Sequence, residues 1–407
     1  MLNRARGRIV IAALALAACG TPAPPRQSTG QPYDSVFTEQ LASGVVHRRL
    51  VVNQGPFTIN VVEVNVRRRD LTVTAAHALD SLRGRELTSS IVARRDASGT
   101  PVIAAVNADF FSLQTGENEN NQVIDGTVLK GVAITESPFD SLHTVHSQFG
   151  MTCDGHPVID RFTFAGAVLT PPPARAVLPL DAVNSRPRDD ATVLYTSAYG
   201  TTPTDSAGRL TVDAPLRVVG QRGDTVLLQA AGAPRSGGGT TIHAGEAVLS
   251  GSGASAEVVR RLAGSLGPAT QLSVVTSFNP RRGRLCTLVG GWPRIVVDGR
   301  SIADSVDRLE GTFPRFSTTR HPRTGVGFSR DSSTLYLITV DGRGESSSGM
   351  SLAEFASLMQ SLGVAQGLNL DGGGSTTLVI RGRVANHPSD STGERKVGNA
   401  LLVTRRR

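Results

Sequence analysis

From Ser351 to Gly382 the chain reads SLAEFASLMQSLGVAQGLNLDGGGSTTLVIRG. By pattern it divides into a helix, a strand, a turn and a second strand. Apolar residues at 352, 355, 359 and 362 recur at helical spacing, Ser351 and Glu354 stand at capping-box separation, and Gly363 supplies a stop. VAQGLNL then reads as a strand leading into Asp371-Gly372-Gly373-Gly374-Ser375, and TTLVIRG as the strand leaving it. A tight hairpin needs two glycines at most. Glycine loses more backbone freedom on folding than any other residue and offers no side chain to pack. A run of glycines can, however, turn several backbone N–H groups inward as an anion-binding concavity and let a ligand approach the main chain. The stretch is not a P-loop, because no Lys follows it and no helix pattern begins there.

The same strand–turn grammar extends outward. GVVHRRLVV, FTINVVEVNV and LTVTAA alternate as strands between 45 and 75, and LTSSIVARRD (87–96) reads as a short helix with Thr88 as candidate cap. PVIAAVNADFF (101–111) is an apolar run that predicts a buried strand ending in polar Asn107 and Asp109. Residues 160–280 are a series of short β runs with a Pro-rich hinge at 171–174 and one helix near 255–267. No fixed-period repeat is present, which argues against a solenoid or propeller. Strands dominate, with two or three helices. The expectation is an α+β domain over 45–405, built on a largely antiparallel or mixed β-sheet core with a few helices packed on it.

The N-terminus follows different rules. Arg4, Arg6 and Arg8 precede the apolar run IVIAALALAA, which ends in Leu16-Ala17-Ala18-Cys19. A basic segment, a short apolar run and small residues describe an export signal too short to span a bilayer permanently. LAAC resembles a bacterial lipobox, so 1–19 is expected to be a lipoprotein-type signal peptide, with Cys19 lipidated. Gly20 beside it favours outer-membrane sorting by resemblance, facing periplasm or cell surface. Residues 20–44, with TPAPPRQSTGQP at 21–32, are expected to form a flexible tether. Membrane contact is expected only through that anchor.

Composition excludes some classes. The chain has 407 residues, 39% apolar and 19% charged, which is ordinary for a globular protein. Its net charge of +8 could suggest nucleic acid, but the arginines are dispersed and aromatics make up only 4%. No nucleic-acid partner is expected; a basic exported protein meets acidic or phosphorylated polysaccharides instead. Cys153 and Cys286 can pair in an oxidising compartment or remain two buried thiols, and their spacing decides nothing. No CxxC or HExxH pattern offers a metal site. Glu117, Asn118, Glu119 and Asn120 could bind a hard cation but do not fit an EF-hand loop, so a divalent cation stays open as cofactor.

The remaining candidates are polar residues at strand ends. VDGR occurs at 297–300 and at 340–343. Asp-Gly between strands is first a hairpin turn. Only the second copy is followed by a polar loop, GESSSG, which makes Asp341 and Arg343 candidates and leaves Asp298 as a turn. Arg323, within His321-Pro322-Arg323-Thr324-Gly325, is suited to a phosphate or carboxylate. Glu354 is better explained as a helix cap than as a catalytic carboxylate.

Together, VNADFF, GGWPRIVVDGR, HPRTGVGFS with LYLITVDGR, NLDGGGSTTLVIRG with its preceding helix, and the tail ANHPSD…GERKVGNALLV resemble the phosphodiester glycosidase family. The order and spacing match across roughly 45–405, with 160–280 matching only in general character. The resemblance implies hydrolysis of the glycosidic bond of a sugar-1-phosphodiester, such as an N-acetylglucosamine-1-phosphate diester, in envelope or extracellular glycans. It marks Asn107, Asp109, Arg323, Thr324, Asp341, Arg343, Asn369, Asp371, Gly372, Gly373, Gly374, Ser375, Asn386 and Arg395 as site positions. A phosphomonoester is a good leaving group, so a fixed positive field on it helps more than a proton donor. On this reading Arg323, Arg343 and the glycine N–H groups face the phosphate, and Asn107 and Asn369 face sugar hydroxyls. Asp371 or Asp341, with Asp109 third, is the catalytic carboxylate. The alternative is a non-catalytic envelope lipoprotein that binds anionic exopolysaccharide in the same pocket.

Overall fold

A computed structural model describes residues 33–138, 140–172, 176–204, 210–267 and 269–406. The expected signal peptide, Cys19, the first part of the tether and residues 173–174 of the Pro-rich hinge lie outside the described residues. The rest of the expected tether is not a tether. Ser35–Ala42 is a strand hydrogen-bonded antiparallel to Val45–Val52, so the folded unit begins about ten residues earlier than expected.

Two sheets carry the fold's centre. The first has eight strands, and its middle is Phe57–Asn65, Thr334–Val340, Arg323–Phe328 and Gln366–Asn369. These middle strands are buried in nearly every position because both faces are covered. Along Phe57–Asn65, Val62 and Val64 join a core shared with the second sheet, whereas Ile59 and Val61 pack with Phe355 and Met359 of the helix Leu352–Ser361. Thr334–Val340 alternates likewise: Leu335 and Leu337 face one core, Ile338 and Val340 the other. The second sheet runs in the order Arg383–Val384, Leu378–Ile380, Val102–Asn107, Asn399–Arg405 and Leu71–His77.

The helix starts as the sequence predicts. Ser351 Oγ accepts from the Glu354 N–H at 3.3 Å, and the Glu354 carboxylate accepts from the Ser351 N–H at 2.9 Å. Such a cap stabilises a helix by about 1 kcal/mol. The other expected cap fails: Leu87, not Thr88, precedes the helix Thr88–Ala97, and the first turn is held instead by the Glu394 carboxylate, which accepts from the Ser89 N–H at 2.8 Å. Thr88 is instead buried as the first helical residue.

Residues 163–279 form a nine-stranded sheet of their own, inserted between the strands Pro157–Asp160 and Leu285–Gly290 of a five-stranded sheet. The single parallel pair among the named strands is Ala182–Val183 with Thr192–Thr196; the other pairings are antiparallel. Cys153 and Cys286 are joined in a disulfide across a sequence separation of 133, and that loop contains the whole insertion. No helix among the described residues is long and apolar enough to cross a membrane.

Candidate active site

The chemistry-bearing residues gather where strands of the two central sheets end together. Val102–Asn107 delivers Asn107 and Asp109, Gln366–Asn369 delivers Asn369 and Asp371, and Thr334–Val340 delivers Asp341. The DGGGS loop is pinned between them. The Asp371 N–H donates to Ala108 O at 2.9 Å, and Leu370 N–H donates to Thr324 O at 2.8 Å. Asn107 Nδ2 donates to Asp371 O at 2.6 Å while its Oδ1 accepts from the Thr324 hydroxyl at 2.8 Å and the Thr377 N–H at 3.1 Å.

Each glycine of the loop is required for its own reason. A Cβ on Gly372 would lie 2.7 Å from Pro322 O, backbone that cannot yield. Gly373 has φ +61°, and its face is closed by the Arg343 guanidinium, 3.1 Å from where a Cβ would sit. A Cβ on Gly374 would collide with the Arg395 guanidinium and the Asp390 carboxylate. The Gly373 N–H does not join the expected concavity of glycine N–H groups. Gly373 N–H donates to Pro322 O, and Ser375 N–H donates to Gly372 O in a one-turn 3-10 helix, Gly373–Ser375. The loop draws positive charge from arginine side chains packed on its glycines.

Arg343 and Arg395 are the cations so placed. Arg343 is solvent-exposed, and among the described residues its side chain makes one hydrogen bond, a long one of 3.5 Å from Nη1 to Ser389 Oγ. Arg395 is held by Asp390 through two hydrogen bonds of 2.7 and 2.9 Å, and its charge acts on Asp371. Asp371 keeps partial access to solvent. Burial pushes its carboxyl up to about 6, against the opposing pull of the Ser375 hydroxyl and Arg395.

Asp109 lies nearby and is sealed. Its carboxylate accepts from Asn120 Nδ2 and Gln122 Nε2, both at 2.7 Å, and the Asn120 N–H at 3.2 Å; burial raises it to about 7. Glu119, one residue before Asn120, is pushed up to about 8 by burial, with the charges of Asp109 and Asp371 adding. The loop GENENNQ therefore builds the site: its carboxamides hold Asp109, and its Glu119 feels the charges of Asp109 and Asp371. The sequence offered Glu119 only as a cation ligand. Among the described residues no group of three or more His, Cys, Asp or Glu side chains is placed to hold a metal ion.

Several expected contacts with substrate are replaced by structural ones. Arg323 is buried; its Nε donates to Met350 O at 2.8 Å and its Nη2 to Phe316 O and Thr319 O at 3.1 and 3.2 Å. It fixes the loop bearing His321 and Pro322, which a phosphate ligand would not require. Asp341 is an anchor, not an exposed carboxylate. Its Oδ1 accepts from Asn386 Nδ2 and the His387 N–H, both at 3.1 Å, and burial raises its pKa. Asn386 in turn accepts from the Leu378 N–H at 2.7 Å. Asn107, Thr324 and Asn369 are buried in the wall behind the loop; Asn369 Nδ2 donates to Trp292 O at 2.7 Å. These residues are positioning groups, sequence neighbours of the ones that face outward.

Two half-buried aromatics that the sequence did not single out form a cluster that starts next to Asp109. Phe110 follows Asp109, and Phe316 sits under Arg323, 5.2 Å from ring centroid to guanidinium carbon. Their rings lie 6.4 Å apart, backed by buried Trp292, which stacks on Phe316 at 5.2 Å. Such faces suit the C–H surface of a sugar ring.

A family model described as phosphodiester glycosidase matches residues 197–404, which contain Arg323, Asp341, Arg343, the DGGGS loop, Asn386 and Arg395. This chain belongs to the phosphodiester glycosidase family. A mouse N-acetylglucosamine-1-phosphodiester alpha-N-acetylglucosaminidase is 40% identical over 80 residues, which is 20% of this chain and 15% of that enzyme. A SPbeta prophage-derived uncharacterized protein of Bacillus subtilis, YomE, is 40% identical over 85 residues, 21% of this chain and 13% of its own. The aligned stretches thus span a small part of either relative. The fold is shared with a hypothetical protein from Synechocystis, at TM-score 0.67 and 21% identity over 91% of this chain and 64% of that one. Asn107, Asp109 and Glu119 precede the matched residues, so the family segment meets its carboxyl partners only through folding.

Proposed function

We propose that the protein hydrolyses the glycosidic bond of a sugar-1-phosphodiester, releasing the sugar and leaving a phosphomonoester. The observation that carries this reading is Asp371, a carboxyl poised near neutrality, set beside Arg343 and Arg395 on one glycine loop. The phosphate lies against Arg343, which is free to bind an anion, with Arg395 adding field from its pair with Asp390. The sugar lies over Asp371 with its C–H face toward Phe110 and Phe316. The C1–O bond breaks, the electron pair leaves with the phosphate, and water supplies hydroxide to C1 and a proton to the phosphomonoester. Asp371, ionised above about pH 6, activates that water or stabilises the cationic carbon. Glu119, protonated below about pH 8, donates a hydrogen bond to a sugar hydroxyl.

Envelope or extracellular glycans of the N-acetylglucosamine-1-phosphate diester kind are the substrates we favour. Export with lipidation at Cys19 belongs to the same proposal. The Cys153–Cys286 disulfide supports an oxidising compartment.

Hydrolysis in ¹⁸O-labelled water tests the bond. Label in the sugar is expected; label in the phosphate means P–O cleavage and overturns the reading. Asp371→Asn is expected to lower kcat by roughly 10²–10⁴-fold with the fold intact by circular dichroism. Tight glycan binding without turnover in the wild type would favour the envelope-binding alternative.

A further inference from the structure

A groove of about 800 Å³ opens beside the three carboxyls, and Glu119 is the residue the two share. Its walls are three segments: 111–119, 130–138 and 181–193. The third includes Ala182, on the edge strand of the inserted nine-stranded sheet, so the insertion meets the site's surroundings along this groove. The volume falls in the range of roughly 300–1,000 Å³ that encloses an extended organic ligand, and is more than one sugar ring fills.

The lining narrows the ligand class. Phe111, Val132, Ala133 and Ile134 give an apolar floor, and Leu113, 62% exposed, stands at the rim. Two ion pairs lie in the wall, Lys130 Nζ donating to Glu117 Oε1 at 3.0 Å and to Asn118 O, and Arg188 facing Glu136 at 3.8 Å, while Asp181, Asp189 and Asp190 leave acidic groups in excess. Such a surface suits a chain with apolar faces and hydroxyl edges better than an anion. The groove also lies at the Glu119 end of the site, whereas the exposed Arg343 guanidinium stands over Gly373. A ligand with its phosphate at Arg343 and its reacting sugar at Asp371 reaches the groove with the far side of that sugar.

We propose that this groove holds further sugar units carried by the scissile sugar on the side away from the phosphate. The protein then cuts phosphodiester-linked glycan chains in preference to single-sugar 1-phosphodiesters. This rests on the glycosidase reading above and adds the length and direction of the substrate.

The test compares the purified full chain on two probes, N-acetylglucosamine-1-phosphate methyl diester and its N,N′-diacetylchitobiose counterpart. The disaccharide is expected to show about tenfold higher kcat/KM, corresponding to about 1.4 kcal/mol. Ala133→Trp, which fills the groove from an exposed position, is expected to erase that gain and leave the single-sugar probe unchanged. Leu113→Ala, a truncation at an exposed rim position, is expected to reduce the gain without a fold penalty. Equal rates on both probes in the wild type, or variants that lower both rates alike, overturn the chain-binding proposal and leave the glycosidase reading standing. Turnover of neither probe overturns both.

Discussion

The tetrapeptide Val-Asp-Gly-Arg occurs twice, and its two copies fold into unrelated objects. At 297–300 it is a hairpin: Asp298 and Gly299 take φ of +51° and +79°, and Val297 pairs with Arg300. Asp298 is exposed, and its Oδ1 accepts from Gln366 Nε2 at 2.8 Å. At 340–343 no hairpin forms. Asp341 is buried as the anchor for Asn386 and His387, Gly342 is pressed between Pro322 and Gly349, and Arg343, at φ +61°, stands exposed over Gly373. The local sequence is identical, so the difference comes from what packs on it. The first copy stays at the surface, where Arg330 Nη2 and Gln360 Nε2 donate to its turn carbonyls; the second lies where several segments converge.

The comparison can be broken most decisively at the two arginines. Arg343→Ala is expected to remove roughly 1.5–3 kcal/mol of transition-state stabilisation, about 10- to 100-fold in kcat/KM on a sugar-1-phosphodiester. Arg300→Ala is expected to leave the rate unchanged; a comparable loss there would end the argument that position, not motif, makes Arg343 functional.

The two glycines give a smaller and different contrast. Asn accepts a left-handed backbone, and a Cβ at Gly299 meets only the flexible end of Arg330, so Gly299→Asn should shift stability by less than about 0.5 kcal/mol. A Cβ at Gly342 would lie 2.8 Å from Gly349 Cα and 2.9 Å from Pro322 N, both backbone. Gly342→Asn is therefore expected to cost roughly 1–3 kcal/mol in urea unfolding, and activity as the Pro322 loop shifts.

The smallest effect concerns pH. Asp371, Asp109 and Glu119 all have folded pKa values above their ordinary ones, at about 6, 7 and 8. Each binds its proton more tightly when folded, so its contribution to stability is full in acid, below the unfolded value, and is lost as pH rises through the folded one. The melting temperature is expected to fall between about pH 5 and pH 8. Glu119→Gln should flatten the upper part of that fall, whereas Glu345→Gln, in the exposed loop after the second Val-Asp-Gly-Arg, should not.

Much of the scaffold was legible because it follows from short-range periodicity. The capping box at Ser351 and Glu354, the alternation of Phe57–Asn65 and the turn at Asp298 are each contained within a few residues. The site was legible as a set of addresses but not as a set of roles. Arg323 has the chemistry to hold a phosphate, yet its Nε and Nη2 are bonded to three backbone carbonyls. Glu119 is one polar residue among several in a loop until burial and the charges of Asp109 and Asp371 push its carboxyl up to about 8. The strand Ser35–Ala42 was missed because an edge strand with a largely exposed face carries little hydrophobic signal.

By itself the sequence determined that this is a strand-rich α+β chain whose polar residues collect at strand ends around DGGGS. It also determined that three glycines there were too many for a turn alone. The tertiary structure decided why. Pro322 O, the Arg343 guanidinium and the Arg395–Asp390 pair each occupy the space a side chain would need, and all come from segments remote in sequence. Spacing along a chain records local geometry, but burial, charge proximity and steric exclusion depend on which distant segments meet. That is where one aspartate becomes a buried anchor and another a carboxyl open to solvent.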